Sequence, residues 1–419
     1  MLDIKFIREN PDLIKEAARK KHVDFDVNEL LSLDARHREI LNLVEKLRSE
    51  QNKLSEAIPT KAPAEKEKLV LELRQLKEHI KEKEEGLRHA AAHFDESMLR
   101  VPNIPDVAVP EGLSDADNQE IRKWGDLPTF PFTPKDHITL LESKDLVDFS
   151  RGSKISGFRG YFLKNAGALL CFALWQFTLE SLVKKGFTPI IAPSKVRRDP
   201  LKGCGFIPQH EEEVYKLGED EYLSGTAEVP VTSYFMDEVL NEKDLPKKFI
   251  AFSPCFRREA GSYGKDVKGL IRVHEFFKLE QVILCEGNHE TSVRFHEELT
   301  KNSEEIVQAL GLPYRVVVNC GGDLGLGQVK KYDIEVWMPS QEKYRETHSA
   351  SYFHDFQTRR LNIRYRGHDN ELRFVHSLNN TAVATPRLIA CLVENYQEAD
   401  GSIRVPEVLQ KYVGLSVIK

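Results

Sequence analysis

The first hundred residues carry a spacing that a pair of long helices satisfies. Seam positions recur at alternating intervals of four and three: Leu33, His37, Ile40, Val44, Leu47, Gln51, Leu54 and Ile58. After a break at "PTKAPA" the pattern resumes with Leu69, Leu73, Leu76, Ile80, Lys83, Leu87, Ala90 and Phe94. That is a heptad seam on each segment, and a heptad seam needs a second helix lying along it. The Pro-containing break predicts an antiparallel pair of about 25 to 40 residues each, projecting roughly 40 to 60 Å. The outer faces interleave Lys and Arg with Glu, as a solvated coiled coil used for spacing or dimerisation would. The bases Arg48, Lys53, Lys61, Lys66, Lys68, Arg74, Lys77 and Lys81 also suit phosphates of a long, rod-like partner.

Beyond this arm the texture changes. "VPNIPDVAVPEGLSDADNQEIRKWG" holds Pro102, Pro105 and Pro110, which enforce extended backbone, and reads as a linker. The chain divides at about residue 110, into 1–110 and 111–419. In the second part, residues 169–185 read as an apolar helix ended by Gly186, and "GFTPIIAP" as a strand stopped by Pro193. Strand-like runs fall at 249–252, 276–285, 314–318, 332–338, 362–365 and 374–378, and helical runs at 290–310 and 386–396. Strands that follow one another without intervening helices predict an antiparallel sheet and an α+β class.

The chemistry concentrates in "FRREAGSYGKDVKGLIRVHEFFKLE", from Phe256 to Glu280. Two arginines, Arg257 and Arg272, and two carboxylates, Glu259 and Glu280, flank a loop rich in Gly and Lys between two strand-like runs. Guanidinium forks suit phosphate and carboxylate oxygens, and carboxylates suit ammonium groups, so such a pocket would take a nucleotide beside an amino acid. A surface hairpin with two ion pairs is the plainer alternative. "GGDLGLGQ" matches neither phosphate-loop pattern and reads as a turn or as a loop next to an active site.

Bulk composition narrows the field. A net charge of −6 over 419 residues shows no global basic character, so any RNA contact must be local. The six cysteines are scattered singly at least 30 residues apart, which fits a reducing cytosol and no zinc knuckle. The N-terminus carries acids from residue 3 onward and lacks an apolar run, so it does not read as a signal peptide, and no apolar run approaches 18 residues. A soluble, cytoplasmic protein is expected.

"GFTPIIAP", "FRREAG…RVHEFFKLE" and "LNNTAVATPR" resemble motifs 1, 2 and 3 of class II aminoacyl-tRNA synthetases, near 186–193, 256–280 and 378–396. "SGTAEVPVTSYFMDEVL", "KYDIEVWMPSQEKYRETHSASYFHDFQTRRLNIRYR", "LVENYQ", the linker and the arm are similar to the seryl-tRNA synthetases, so the resemblance spans the chain. It implies serine activation by ATP and Mg²⁺, and transfer to tRNA(Ser), with tRNA(Sec) a second acceptor it allows. It also implies a homodimer through motif 1, and tRNA gripped by the arm of 1–110.

The same resemblance implies roles for individual residues. Thr226 and Glu228 would hold the serine amino group. Arg257 would touch the α-phosphate and serine carboxylate, Glu259 would contact ATP, and Arg272 would join the ATP site. Val273 would meet adenine through its backbone and Phe276 would stack on it. Glu280, Asn379 and Thr381 would lie at the serine side chain. Glu346, Thr347, His348 and Ser349 would line the ATP site, Glu346 and Ser349 also at the metal, and Arg387 would reach the γ-phosphate. Arg257, Glu259 and Arg387 would form the catalytic set. Ala382, Thr385 and Pro386 stand where motif 3 usually has small glycines. A paralogue serving another acceptor, and a catalytically decayed RNA-binding scaffold, are the competing readings.

Overall fold

A computed structural model of the chain describes residues 1–260, 264 and 266–419. Gly261, Ser262, Tyr263 and Lys265, in the motif 2 loop anticipated above, lie outside the described residues. The chain divides into two compact units. One comprises Asp3–Arg19 with Val23–Pro102; the other comprises Met1–Leu2, Lys20–His22 and Asn103–Lys419.

In the first unit the seam forms as its spacing requires. Val27–Ala57 and Pro63–Leu99 are helices of 31 and 37 residues, roughly 45 to 55 Å long. Asp26 caps the first by accepting from the Asn28 N–H at 2.8 Å, and Pro63 opens the second, where its missing N–H costs nothing. A 3₁₀ turn, Ile58–Thr60, begins the connection. Every seam residue is buried or half-buried, with Val44, Leu47, Ile80 and Ala90 innermost. His37 stacks on Phe94 at 5.5 Å, and Arg48 bridges to Glu84 at 2.7 Å. The named bases are otherwise on the outer surface, only Lys66 being half-buried.

The second unit is built on an eight-stranded sheet. In spatial order the strands are Gln119–Trp124, Tyr314–Val318, Lys330–Met338, Lys343–Tyr352, His376–Ala384, Glu275–Cys285, Lys247–Phe256 and Thr188–Ile191. All neighbours pair antiparallel except the last two, which are parallel. Helices Asn165–Lys184, His289–Ala309 and Thr385–Asn395 share one core with the sheet, through Leu170, Leu174, Phe295, Leu299, Leu388 and Leu392.

Three expectations are corrected. Gln119–Trp124, inside the expected linker, is an edge strand; nearly all its residues are exposed, so no apolar alternation marks it. Residues 103–110, expected with the arm, belong to the sheet unit: Asn103 donates to Gly327 O and Phe353 O, both at 2.9 Å. Among the described residues one helix, Asn165–Lys184, is long and apolar enough by composition to cross a membrane, against the expectation that no run approaches that length. Its Leu170, Cys171, Leu174 and Leu182 are buried in the sheet core, the position of a core helix.

Candidate active site

Three strands and two helix starts converge on one cleft of about 930 Å³, solvent at its mouth included. On Glu275–Cys285 the side chains of Phe276, Lys278 and Glu280 face the cleft. Leu279 lies in the core behind, and Phe277 packs on Trp175, as a two-residue period demands. On Lys343–Tyr352 the pairing slips so that Thr347 is an extra residue, and this bulge lets Glu346 and Thr347 line the cleft together with Ser349 and Ser351. A second bulge makes Ala382 the extra residue opposite Leu279 and Glu280, beyond Asn379 and Thr381. The helix Thr385–Asn395 starts with Pro386 in its first turn and carries Arg387; Glu228 opens the short helix Glu228–Thr232.

Charges of both signs meet here. Arg387 Nε donates to Ile271 O and Nη1 to Glu346 O, each at 3.0 Å, and Nη1 lies 3.3 Å from the Glu346 carboxylate. Arg272 bridges to Glu259 at 3.0 Å and to Asp266 at 3.4 Å. Glu259 holds φ +53, a strained conformation for a residue with a side chain. Arg257 Nε donates to Gly225 O at 3.2 Å, and its guanidinium lies 5.4 Å from the Phe276 ring centre. Lys278 pairs with Glu280 and donates to Thr226 Oγ1 at 2.8 Å. Gln357 Nε2 donates to Glu228 Oε1 at 2.7 Å. Asn379 Nδ2 is buried with no hydrogen-bond partner among the described residues, a donor waiting for an acceptor.

Burial, then repulsion from Glu280, pushes the Glu228 carboxyl up to about 7. Burial also raises Glu280, against the pull of Lys278 and Arg257. Burial works the same way on Glu346, but Arg387, Lys331 and Arg257 outweigh it and hold that carboxyl below its ordinary value. The cleft therefore contains one carboxyl poised near neutrality and another kept charged.

Thr226, Glu228, Arg257, Glu259, Arg272, Val273, Phe276, Glu280, Glu346, Thr347, Ser349, Asn379, Thr381 and Arg387 all line this cleft. His348 does not. The bulge at Thr347 turns it to the other side of the sheet, 1% exposed, where Nε2 donates to Ala382 O at 3.1 Å. Burial lowers it to about 4, so the ring is neutral. Lys278, Gln328 and Ser351 also line the cleft, and the sequence reading does not include them. Lys278 is legible all the same, because alternation between Phe276 and Glu280 puts residue 278 on the same face. Ala382 has no left-handed φ, so the side chain that replaces a glycine is accommodated.

Residues 1–105 match the family described as Seryl-tRNA synthetase N-terminal domain, and residues 211–396 the tRNA synthetase class II core domain (G, H, P, S and T). The chain is 47% identical over 415 residues to the serine–tRNA ligase of Deinococcus radiodurans, covering 99% of this chain and 98% of that one. It is 46% identical over 425 residues to that of Acetivibrio thermocellus, covering both completely. The crystal structure of seryl-tRNA synthetase from Pyrococcus horikoshii complexed with ATP superposes with TM-score 0.91 at 42% identity, over 100% of this chain and 99% of that one. Cytoplasmic serine–tRNA ligase from Naegleria fowleri in complex with AMP gives 0.86 at 34%, with the same coverage. With both regions matched and full-length relatives above 40% identity, the chain belongs to the seryl-tRNA synthetase family of class II.

Proposed function

We propose that this chain is a serine–tRNA ligase, activating serine with ATP to seryl-adenylate and passing the seryl group to the 3′ end of tRNA(Ser). The observation that carries this is the cleft, where Glu228, Glu280, Glu346 and Arg387 arrive from four separate elements and Arg257 from the loop after a fifth, with charges of both signs interleaved.

Attack of the serine carboxylate on the α-phosphorus brings two anions together and expels pyrophosphate. No protein nucleophile is needed; positioning and fixed positive charge lower the barrier. In this reading Arg257 spans the carboxylate and α-phosphate, and the Phe276 ring, 5.4 Å from its guanidinium, offers a surface for a base. Arg387, anchored on Ile271 O and Glu346 O, is aimed at the outer phosphates. Glu228 faces the ammonium of the amino acid. Asn379 offers its unpaired Nδ2 to a substrate oxygen. Glu346 and Ser349 provide hard oxygen donors beside Arg387, a set that fits Mg²⁺ held partly by phosphates. Bound there, the ion would neutralise phosphate charge.

The arm would grip tRNA by shape and phosphate contact more than by base reading. We place the enzyme in the cytoplasm, in keeping with its six unpaired buried cysteines. A homodimer is the partner reading favoured by Thr188–Ile191, an edge strand with Ile191 83% exposed beside the exposed Phe172.

The test is amino-acid-dependent ATP–pyrophosphate exchange with serine, threonine, alanine and glycine, with and without Mg²⁺, followed by charging of total tRNA. Serine-dependent exchange that requires Mg²⁺, together with charging, is expected. No exchange with any amino acid would overturn the reading, and exchange without charging would move it to an altered acceptor.

A further inference from the structure

Lys278 is the charged residue of the cleft to which neither motif nor resemblance gave a task. It is 5% exposed, its ammonium pairs with Glu280, and it donates to Thr226 Oγ1 at 2.8 Å. A buried ion pair is rarely better for stability than an apolar pair of the same volume, so the fold alone gives no reason for a lysine here.

Its effect on its neighbours does give one. The Thr226 hydroxyl accepts from Lys278 Nζ and from the Glu228 N–H, the latter at 3.2 Å, so both lone pairs are taken and its proton is left to donate. Glu280 is reached by Lys278 on its own strand and by Thr381 Oγ1 at 3.5 Å from the next. The charged or titratable groups around it from other elements are Arg257, Glu228 and Cys255. An ionised carboxylate only accepts hydrogen bonds, whereas a protonated one also donates and can satisfy itself within the pocket.

We propose that Lys278 is a specificity-determining residue: by keeping Glu280 an acceptor-only carboxylate, it makes a side-chain hydroxyl on the substrate the donor that completes the pocket. This rests on the serine-activating reading above. Serine supplies that donor. Alanine leaves a buried carboxylate without it, the situation in which polar pockets discriminate most strongly.

The test is the ratio of kcat/KM for serine to that for alanine in pyrophosphate exchange, followed across pH. Glu228 meets the ammonium that both substrates carry, so its titration cancels in the ratio. The wild-type ratio should stay flatter with pH than that of either variant below, because the Lys278 ammonium paired with Glu280 opposes the burial that raises its carboxyl. Lys278→Met should cut the ratio by about 10- to 100-fold at the acid end, the value of one hydrogen bond to a charged group. The ratio should recover as alkali ionises Glu280, and KM for ATP should stay unchanged. Lys278→Gln, whose amide can still donate, guards against loss of fold in the Met variant and should show the same pH dependence. A flat, wild-type ratio in either folded variant overturns the proposal. Absence of serine-dependent exchange in the wild type would instead remove the functional reading beneath it.

Discussion

Replacing Glu228 by Gln should stabilise the protein while damaging serine binding, and the size of the first effect follows from the cleft. Its carboxyl is held near 7 by burial and by Glu280, against an ordinary value of 4.5. The folded chain therefore keeps this proton to higher pH than the unfolded chain does. Between those two values the folded state binds more protons, so stability falls as pH rises through the window, and the loss is complete above it. At roughly 1.4 kcal/mol per pH unit, the full cost is about 3 kcal/mol. Glu228→Gln removes the ionisation, and the amide oxygen it introduces can still accept from Gln357, so that donor keeps its acceptor. The gain should be near zero at about pH 4.5 and should reach about 3 kcal/mol at about pH 8. Urea denaturation of both proteins at several pH values reads this directly. Wild-type serine affinity should rise about tenfold between pH 6 and pH 8 as Glu228 ionises, and Glu228→Gln should abolish that rise and weaken binding about 10- to 100-fold. A Glu228→Gln variant that is no more stable than wild type at about pH 8, or whose advantage does not grow with pH, would refute the reasoning.

Three further outcomes are expected. Arg257→Ala should lower pyrophosphate exchange by about three orders of magnitude, the scale of losing a preorganised charge in the transition state, with circular dichroism unchanged; an unimpaired variant would sink the assignment. Deleting residues 35–95 should spare serine-dependent exchange yet strip tRNA charging, and full charging by the truncated protein would show the arm to be dispensable. His348→Leu should raise KM for ATP or lower kcat, with KM for serine unmoved, whereas His348→Gln, whose Nε2 can still donate to Ala382 O, should restore exchange. Equal loss in both would mean that the bond to Ala382 O is not what matters.

The arm is legible because a heptad seam is a one-dimensional signal: each seam residue from Leu33 to Phe94 is at least half-buried. The central strands are legible for a similar reason, since runs such as 314–318 and 276–285 are apolar enough to be buried on both faces. Gln119–Trp124 is not, because an edge strand open to solvent carries no alternation. In the cleft, most lining positions on the other segments follow from the motif resemblance and Lys278 from strand period, whereas Gln328 carries no such signal and the tetrapeptide at 346–349 cannot be sorted by period. A regular strand would have turned Glu346 and His348 to one face and Thr347 and Ser349 to the other. One extra residue in the pairing with Lys330–Met338 brings Glu346 and Thr347 to the cleft and sends His348 behind it. Bulges arise from pairing across the sheet, and local sequence does not encode them.

The two bulges show how Ala382 is accommodated where the resemblance led one to expect a glycine. Ala382 is itself the extra residue of one bulge and Thr347 that of the other. His348 spans them. Its Nε2 can only donate to a carbonyl, so Nδ1 of the neutral ring is the acceptor for the Thr347 hydroxyl at 2.8 Å. That fixes the tautomer and ties the strand bearing Glu346 to the strand that leads into Arg387. Pro386 then starts the helix in a first turn that does not need its N–H, and Arg387 returns to bond Glu346 O. A glycine at 382 would be free to sample left-handed backbone; alanine is not, and the imidazole bond holds its carbonyl in one direction. Ala382 and His348 are thus two parts of one arrangement, in which rigidity at the bulge takes the place of glycine's freedom and holds the start of the helix that carries Arg387 into the cleft.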